Sequence, residues 1–181
     1  MNSLFGNHWH TQEEQQETDH WVNYWLQDQG SLTKSIQQVC SQAFNVKVLI
    51  HHFITAPDCA LESMQLAKND RVLHREVVLC DGNETLVFAC SLLPEKALQG
   101  RFEALYDMGS RPLGHWLFKE PALKRANMQF TQLQGNNPLF ERLDGHENKT
   151  ITGRKTLFTG AESPFLVSEF FLPGLKNRAN T

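Results

Sequence analysis

The stretch Arg71-Val72-Leu73-His74-Arg75-Glu76-Val77-Val78-Leu79-Cys80 decides how the rest of the chain is read. Its side chains fit a period-2 alternation and it runs into Asp81-Gly82-Asn83, so it is a strand entering a tight turn. Strand side chains alternate between faces, which puts Leu73, Arg75, Val77 and Leu79 together. An arginine therefore points where its apolar neighbours point. Near the C-terminus Phe165, Val167, Glu169 and Phe171 form a second such set, with a carboxylate among large apolar side chains. Taking an isolated charge out of water costs several kcal/mol, comparable with the whole stability margin of a small domain. Arg75 and Glu169 thus either pair with each other, face a wet surface, or bracket an enclosed ligand. In the last case the guanidinium receives an acidic group and the carboxylate meets a hydroxyl or a proton in transit.

Outward from this strand, residues 85–93 form the returning arm of a hairpin, and residues 46–54 form a strand ahead of it. His51 and His52 in the latter point to opposite faces, which removes them as a two-histidine metal pair. Residues 56–69 read as an irregular acidic stretch. Pro94 suits the first turn of a helix whose apolar stripe is Leu98, Phe102, Leu105 and Tyr106 and which stops at Gly109. Residues 111–118 then give a short turn into a compact helical segment bounded by Pro121. Residues 123–133 are a strand with Met128 and Phe130 on one face, and 134–148 a polar loop. Residues 150–158 and 165–172 are the last pair of strands, around residues 160–164, and Pro173-Gly174 closes the fold.

At the other end, residues 12–27 predict an amphipathic helix carrying Trp21, Val22, Tyr24 and Trp25, ended by Gly30. Ser31 is placed to cap a second helix through Thr33, Ile36 and Val39 to about Ala43. The short link brings Ser31, Leu32 and Thr33 to a helix N-terminus, where free backbone N–H groups suit an anion. Residues 1–12, with His8, Trp9 and His10, read as a flexible leader, and 13–181 as one domain. Strands in hairpins with helices gathered between them predict an α+β domain on an antiparallel sheet.

A net charge of −3 with mixed signs gives no electrostatic case for a nucleic-acid partner or an anionic membrane surface. No apolar run is long enough to span a bilayer, and the polar, acidic start is unlike a signal peptide. The expectation is a cytoplasmic protein without stable membrane insertion. Cys40, Cys59, Cys80 and Cys90 lack CxxC spacing and read as reduced residues, while Asn148-Lys149-Thr150 fits a glycosylation sequon with no consequence in that compartment. The eight histidines lack ligand spacing, and glycine-rich phosphate loops, G-x-S-x-G and HExxH are missing. Neither a metal nor a cofactor is expected.

Four motifs, taken in order, resemble one family. They are Trp25-Leu26 with Ser31-Leu32-Thr33-Lys34; Arg75-Glu76-Val77-Val78-Leu79-Cys80 with Asp81-Gly82; Pro112-Leu113-Gly114-His115-Trp116-Leu117-Phe118; and Ser168-Glu169-Phe170-Phe171-Leu172-Pro173. Their order and spacing over residues 21–175 are similar to the successive signatures of bacterial chorismate lyase, the chorismate-pyruvate lyase of ubiquinone biosynthesis. The resemblance implies a monomer with a six-stranded antiparallel sheet and an enclosed site under two helix-turn-helix flaps. It also implies a cofactor-free elimination of pyruvate from chorismate to give 4-hydroxybenzoate. By the same resemblance Arg75 grips the ring carboxylate with help from backbone amides near Leu32 and Leu113, and Glu169 meets the para hydroxyl. Arg75 and Glu169 are then the catalytic pair.

Lys34, Arg154 and Lys155 are candidates for the second carboxylate of chorismate. Cys90 stands where the family places an arginine, which predicts the loss of a secondary anion contact; Leu32 stands where relatives can carry methionine, a mild swap. The loop at 134–148 is longer than the family pattern. A competing reading is a noncatalytic aromatic-acid sensor or carrier, since effector domains of some bacterial transcription regulators are similar in fold. Such regulators carry a DNA-binding domain ahead of the sensor, for which the ~20 residues before the first aromatic stripe are too few. For the lyase, a transient hand-off of product to a membrane prenyltransferase is the implied partner.

Overall fold

The computed structural model describes residues 9–11, 14, 18, 20–134, 137–143, 149–160 and 163–178. Helices α1 (His20–Gln27) and α2 (Leu32–Val39) come first, then strand β1 (Phe44–Thr55) and helix α3 (Asp58–Met64). Strands β2 (Arg71–Asp81) and β3 (Glu84–Pro94) follow as the expected hairpin. Two 3-10 turns, Glu95–Leu98 and Gly100–Leu105, lead to helix α4 (Leu113–Leu117). Strands β4 (Lys124–Leu133), β5 (Ile151–Thr159) and β6 (Phe165–Phe171) complete the sheet, and a last 3-10 segment spans Pro173–Arg178. All pairings are antiparallel, in the order β1-β2-β3-β6-β5-β4. The α+β architecture with a six-stranded antiparallel sheet is therefore as the sequence predicts. Because β6 pairs with β3 at the centre, the two strands with inward charges lie two strand positions apart.

Every residue of β2 from Val72 to Asp81 is buried, so the strand has no solvent face. On one side α1 and α2 pack Val22, Trp25, Leu26, Leu32 and Ile36 against Val77, Leu79, Val87 and Phe171. On the other, Ala60 and Met64 of α3 join Val78, Cys80, Phe88, Phe170, Leu139 and Phe140. Burying both faces removes the polar alternation that a half-exposed strand would show. At the hairpin turn Gly82 has φ +60, and a Cβ there would fall 2.1 Å from Gln42 Oε1, so both backbone and space call for glycine. Beside it Asp81 accepts hydrogen bonds from the Ser41 amide (2.8 Å), the Gln42 amide (2.6 Å) and Arg178 Nη2 (2.8 Å). Burial pushes this carboxyl up, but those donors outweigh it and hold the pKa at about 2.

Several expectations need correction. The stretch 56–69 contains α3, which starts right after Pro57 in extended conformation and ends at Gln65 in the left-handed region. The helix expected after Pro94 is two 3-10 turns instead, because Gln99 is extended (φ −100, ψ 154) and breaks the run. Tyr106, expected on its apolar stripe, is 53% exposed and stacks on Phe53 with ring centroids 5.7 Å apart. Helix α2 stops at Val39, short of Ala43, since the chain turns extended at Cys40 and commits the next two amides to Asp81. Ser31 occupies the N-cap position without a side-chain cap hydrogen bond. The first helix is described only from His20, most of 12–19 lying outside the described residues. Of residues 1–12, Trp9, His10 and Thr11 are described. His10 and Phe130 exchange backbone hydrogen bonds of 2.8 Å, and Trp9 lies over Lys155 and beside Phe170.

Candidate ligand pocket

Cross-strand register builds the site. Arg75 in β2 lies opposite Ser91 in β3, which lies opposite Val167 in β6 and then Thr156 in β5. The next row is Val77, Ala89, Glu169 and Arg154. Arg75 and Glu169 thus share a face, two strands across and two residues along, about 12 Å between Cα atoms on an ideal sheet. Both line one pocket, whose apolar walls include Val77, Leu79, Ala89, Phe158 and Val167. Leu32 and Thr33 of α2 and Leu113, Gly114 and Leu117 of α4 also line it. It is narrow, with a cavity volume of about 50 Å³.

The two helices meet over this pocket. A Cβ on Gly114 would come within 3.0 Å of Thr33 Oγ1 and 3.4 Å of Ser31 Oγ, so the glycine permits their close approach. The first-turn amides of both helices lack intrahelical acceptors, and Ser31 and Pro112 at their N-caps supply no side-chain bond. Leu32 and Leu113, expected from sequence to flank the ligand, are thereby brought to one cavity.

Arg75 and Glu169 do not pair with each other in any described contact. Arg75 is 2% exposed; its Nη2 donates to the Arg111 carbonyl (3.1 Å), and its buried Nη1 has no partner among the described residues. Burial alone pushes its pKa below the usual guanidinium value. Glu169 is held from the side by Arg154, whose Nε donates to Oε2 at 2.6 Å. Arg154 is fully buried, and its Nη1 donates to the carbonyls of Trp25 (3.0 Å), Leu26 (3.3 Å) and Asp28 (2.7 Å). Those oxygens end helix α1, so one guanidinium joins its negative C-terminal pole to Glu169.

Among the candidates for a second carboxylate, Arg154 turns to Glu169 rather than lining the pocket, Lys34 is exposed, and Lys155 lies under Trp9, 4.8 Å from the ring centroid. Sequence reasoning missed Arg125, which does line the pocket. A bulge in β4 between Arg125 and Met128 inserts one residue, so Arg125 joins the face of Met128 although simple alternation puts it on the opposite one. The break in alternation after Lys124 was the available signal.

Cys90 borders the pocket, but its sulfur belongs to the other side of the sheet. It is paired across the strands with Glu76, and the ligand atoms of His74, Glu76 and Cys90 lie within 4.8 Å of one another. Burial, then Glu76, pushes its thiol well above the ordinary range. His74 Nε2 is 2.9 Å from Glu76 Oε1, and Arg142 Nη1 reaches both Glu76 oxygens. Burial raises the Glu76 pKa, but His74 and Arg142 outweigh it and the net shift is downward. Arg142, the last residue of the 3-10 turn Phe140–Arg142, thus brings a positive charge to the Glu76 carboxylate beside the Cys90 thiol.

A buried arginine with an open donor, a braced carboxylate and two short helices over the cavity define a small-molecule-binding domain. Solved structures with this fold include PhnF from Mycobacterium smegmatis (TM-score 0.61, 12% identity, covering 82% of this chain and 66% of that one). A GntR-family transcriptional regulator from Enterococcus faecalis is another (TM-score 0.53, 11% identity, 72% and 91%). The chain belongs to the chorismate lyase family, whose model matches residues 4–181. A probable chorismate pyruvate-lyase of Nitrosospira multiformis is 36% identical over 154 residues, covering 83% of this chain and 86% of the relative. That of Nitrosomonas europaea is 35% identical over 158 residues, covering 86% and 88%.

Proposed function

We propose that this protein is a chorismate lyase, eliminating pyruvate from chorismate to form 4-hydroxybenzoate for ubiquinone biosynthesis. The observation that carries the reading is one narrow pocket holding a buried arginine with an N–H that no described residue accepts and, two strands away, a carboxylate braced by a second arginine. A flat acid with a hydroxyl para to its carboxylate has matching ends. Arg75 binds the ring carboxylate through its planar fork, with first-turn amides at Leu32 and Leu113 beside it. Glu169 meets the hydroxyl at C4.

Chorismate is driven by aromatisation. The proton at C4 leaves, its electron pair becomes a ring π bond, and the C3–O ether bond breaks with its pair on the departing enolpyruvate. Protonation of that fragment at its methylene carbon gives pyruvate, so the reaction is redox-neutral and calls for no electron carrier. What remains for the protein is to orient the ether, stabilise charge on the leaving group and guide one proton. On this reading Glu169 holds the hydroxyl and receives that proton, a role supported by the Arg154 Nε–H that fixes its carboxylate. The apolar walls and the two helices exclude water. On the same reading the enzyme works as a cytoplasmic monomer and passes product transiently to a membrane prenyltransferase; no described helix is long and apolar enough to cross a membrane.

The test is direct. Purified protein is mixed with chorismate, 4-hydroxybenzoate is followed by chromatography and pyruvate by a coupled assay. Equal, protein-dependent appearance of both is expected. Appearance of neither, with 4-hydroxybenzoate still raising Tm, overturns the enzyme in favour of a sensor or carrier of the same fold.

A further inference from the structure

The substrate of the proposed reaction is a dianion, and the Arg75 interaction accounts for one of its charges. Among the described residues, the charged ones lining the pocket are Arg75, Glu169 and Arg125. Arg125 is fixed before any ligand arrives. Its Nη1 donates to the Gln29 carbonyl (2.6 Å) and its Nη2 to the Gly30 carbonyl (3.0 Å), while the guanidinium carbon stands 5.0 Å from the Phe118 ring centroid and 5.8 Å from that of Phe158. Those bonds occupy the outer edge of the fork. The buried Nε–H has no partner among the described residues, which leaves the Nε and Nη2 edge for a carboxylate. Arg75 shows the same pattern, one nitrogen on a backbone carbonyl and another open.

Position agrees with chemistry. The enolpyruvyl ether springs from C3, next to the hydroxyl-bearing C4, so the cation for its carboxylate belongs on the Glu169 side of the cavity. Arg125, two strands beyond Glu169 on the same face, is within electrostatic reach of that carboxylate. Burial and the nearby Arg154 disfavour its charge, while Glu169 and Asp28 support it. Resting on the lyase reading, we propose that Arg125 binds the enolpyruvyl carboxylate of chorismate and holds it while the ether bond breaks. The product 4-hydroxybenzoate lacks that group, so the contact is made with substrate and lost with the aromatic product.

The experiment separates this role from a merely structural one. Arg125→Lys and Arg125→Met are compared with the parent for the KM of chorismate, the Kd of 4-hydroxybenzoate, and the Kd of 3-(carboxymethoxy)-4-hydroxybenzoate, a stable dicarboxylate. The expected result is a chorismate KM raised about 30-fold or more in the Met variant, with a parallel loss for the dicarboxylate and the 4-hydroxybenzoate Kd held within about twofold. Equal weakening of all three ligands overturns the proposal and leaves Arg125 as a clasp between the helices. So does a parent protein that binds the dicarboxylate no more tightly than 4-hydroxybenzoate, a measurement that stands even if neither variant folds. Failure of the lyase reading is distinct, because the parent then turns over no chorismate at all.

Discussion

Arg75 and Glu76 are neighbours in one strand and both are buried, yet they are satisfied in opposite ways. On the pocket side Arg75 has one described hydrogen bond and a buried Nη1 without a partner among the described residues, and the Nε of Arg125 also lacks one among them. On the far side both oxygens of Glu76 are reached by Arg142, and His74 adds a third contact. Buried charge alone thus does not separate a binding site from a structural ion cluster. The pocket-lining arginines Arg75 and Arg125 differ from Arg142 in each keeping a buried N–H that no described residue accepts, and such a donor costs free energy unless a ligand supplies a partner.

Four measurements break or sharpen this contrast. Glu169→Gln preserves shape and removes the charge; its kcat should fall by about 10²- to 10⁴-fold. Turnover equal to the parent in single-turnover assays removes proton transfer from this carboxylate. Arg75→Ala should raise the chorismate KM by the equivalent of about 2 to 4 kcal/mol, while near-normal saturation would show that the open guanidinium is not the clamp. On the opposite face Glu76→Gln should cost about 1 to 3 kcal/mol in urea unfolding, leaving the buried His74 and the more exposed Arg142 without their counter-charge. Its KM for chorismate should stay close to the parent's, and a KM change without a stability change would erase the distinction between the faces.

The fourth concerns Asp81, whose pKa of about 2 lies below the unfolded value of about 4. A carboxyl depressed by folding stabilises above the unfolded pKa, and the contribution disappears as pH falls through the folded one. Unfolding free energy should therefore drop between about pH 4 and pH 2, less steeply in Asp81→Asn. Glu76 contributes with the same sign, so the slope should be reduced and not abolished. An unchanged acid limb would remove Asp81 from the account.

Legibility followed the range of the interactions. Period-2 patterning and the Asp81-Gly82-Asn83 turn are local, so the hairpin and the inward directions of Arg75 and Glu169 were readable residue by residue. The 3-10 turns after Pro94 escaped because an apolar stripe at helical spacing suits either geometry, and the extended backbone at Gln99 decides between them. Arg125 escaped because one inserted residue in β4 reverses the parity on which the reading depends. Arg142 and the bracing role of Arg154 escaped for a different reason, as their partners are 66 and 15 residues away and no short-range pattern links them.

The amino-acid sequence by itself determined the strands, the central hairpin, the antiparallel α+β class and the two inward charges, because alternation and turn chemistry act between neighbours. Only the tertiary structure decided that β6 lies against β3, that both faces of β2 are covered, and which buried charges are saturated. Pairing of a buried charge depends on which distant groups chain closure brings within about 3 Å, and that distance is a property of the packed fold.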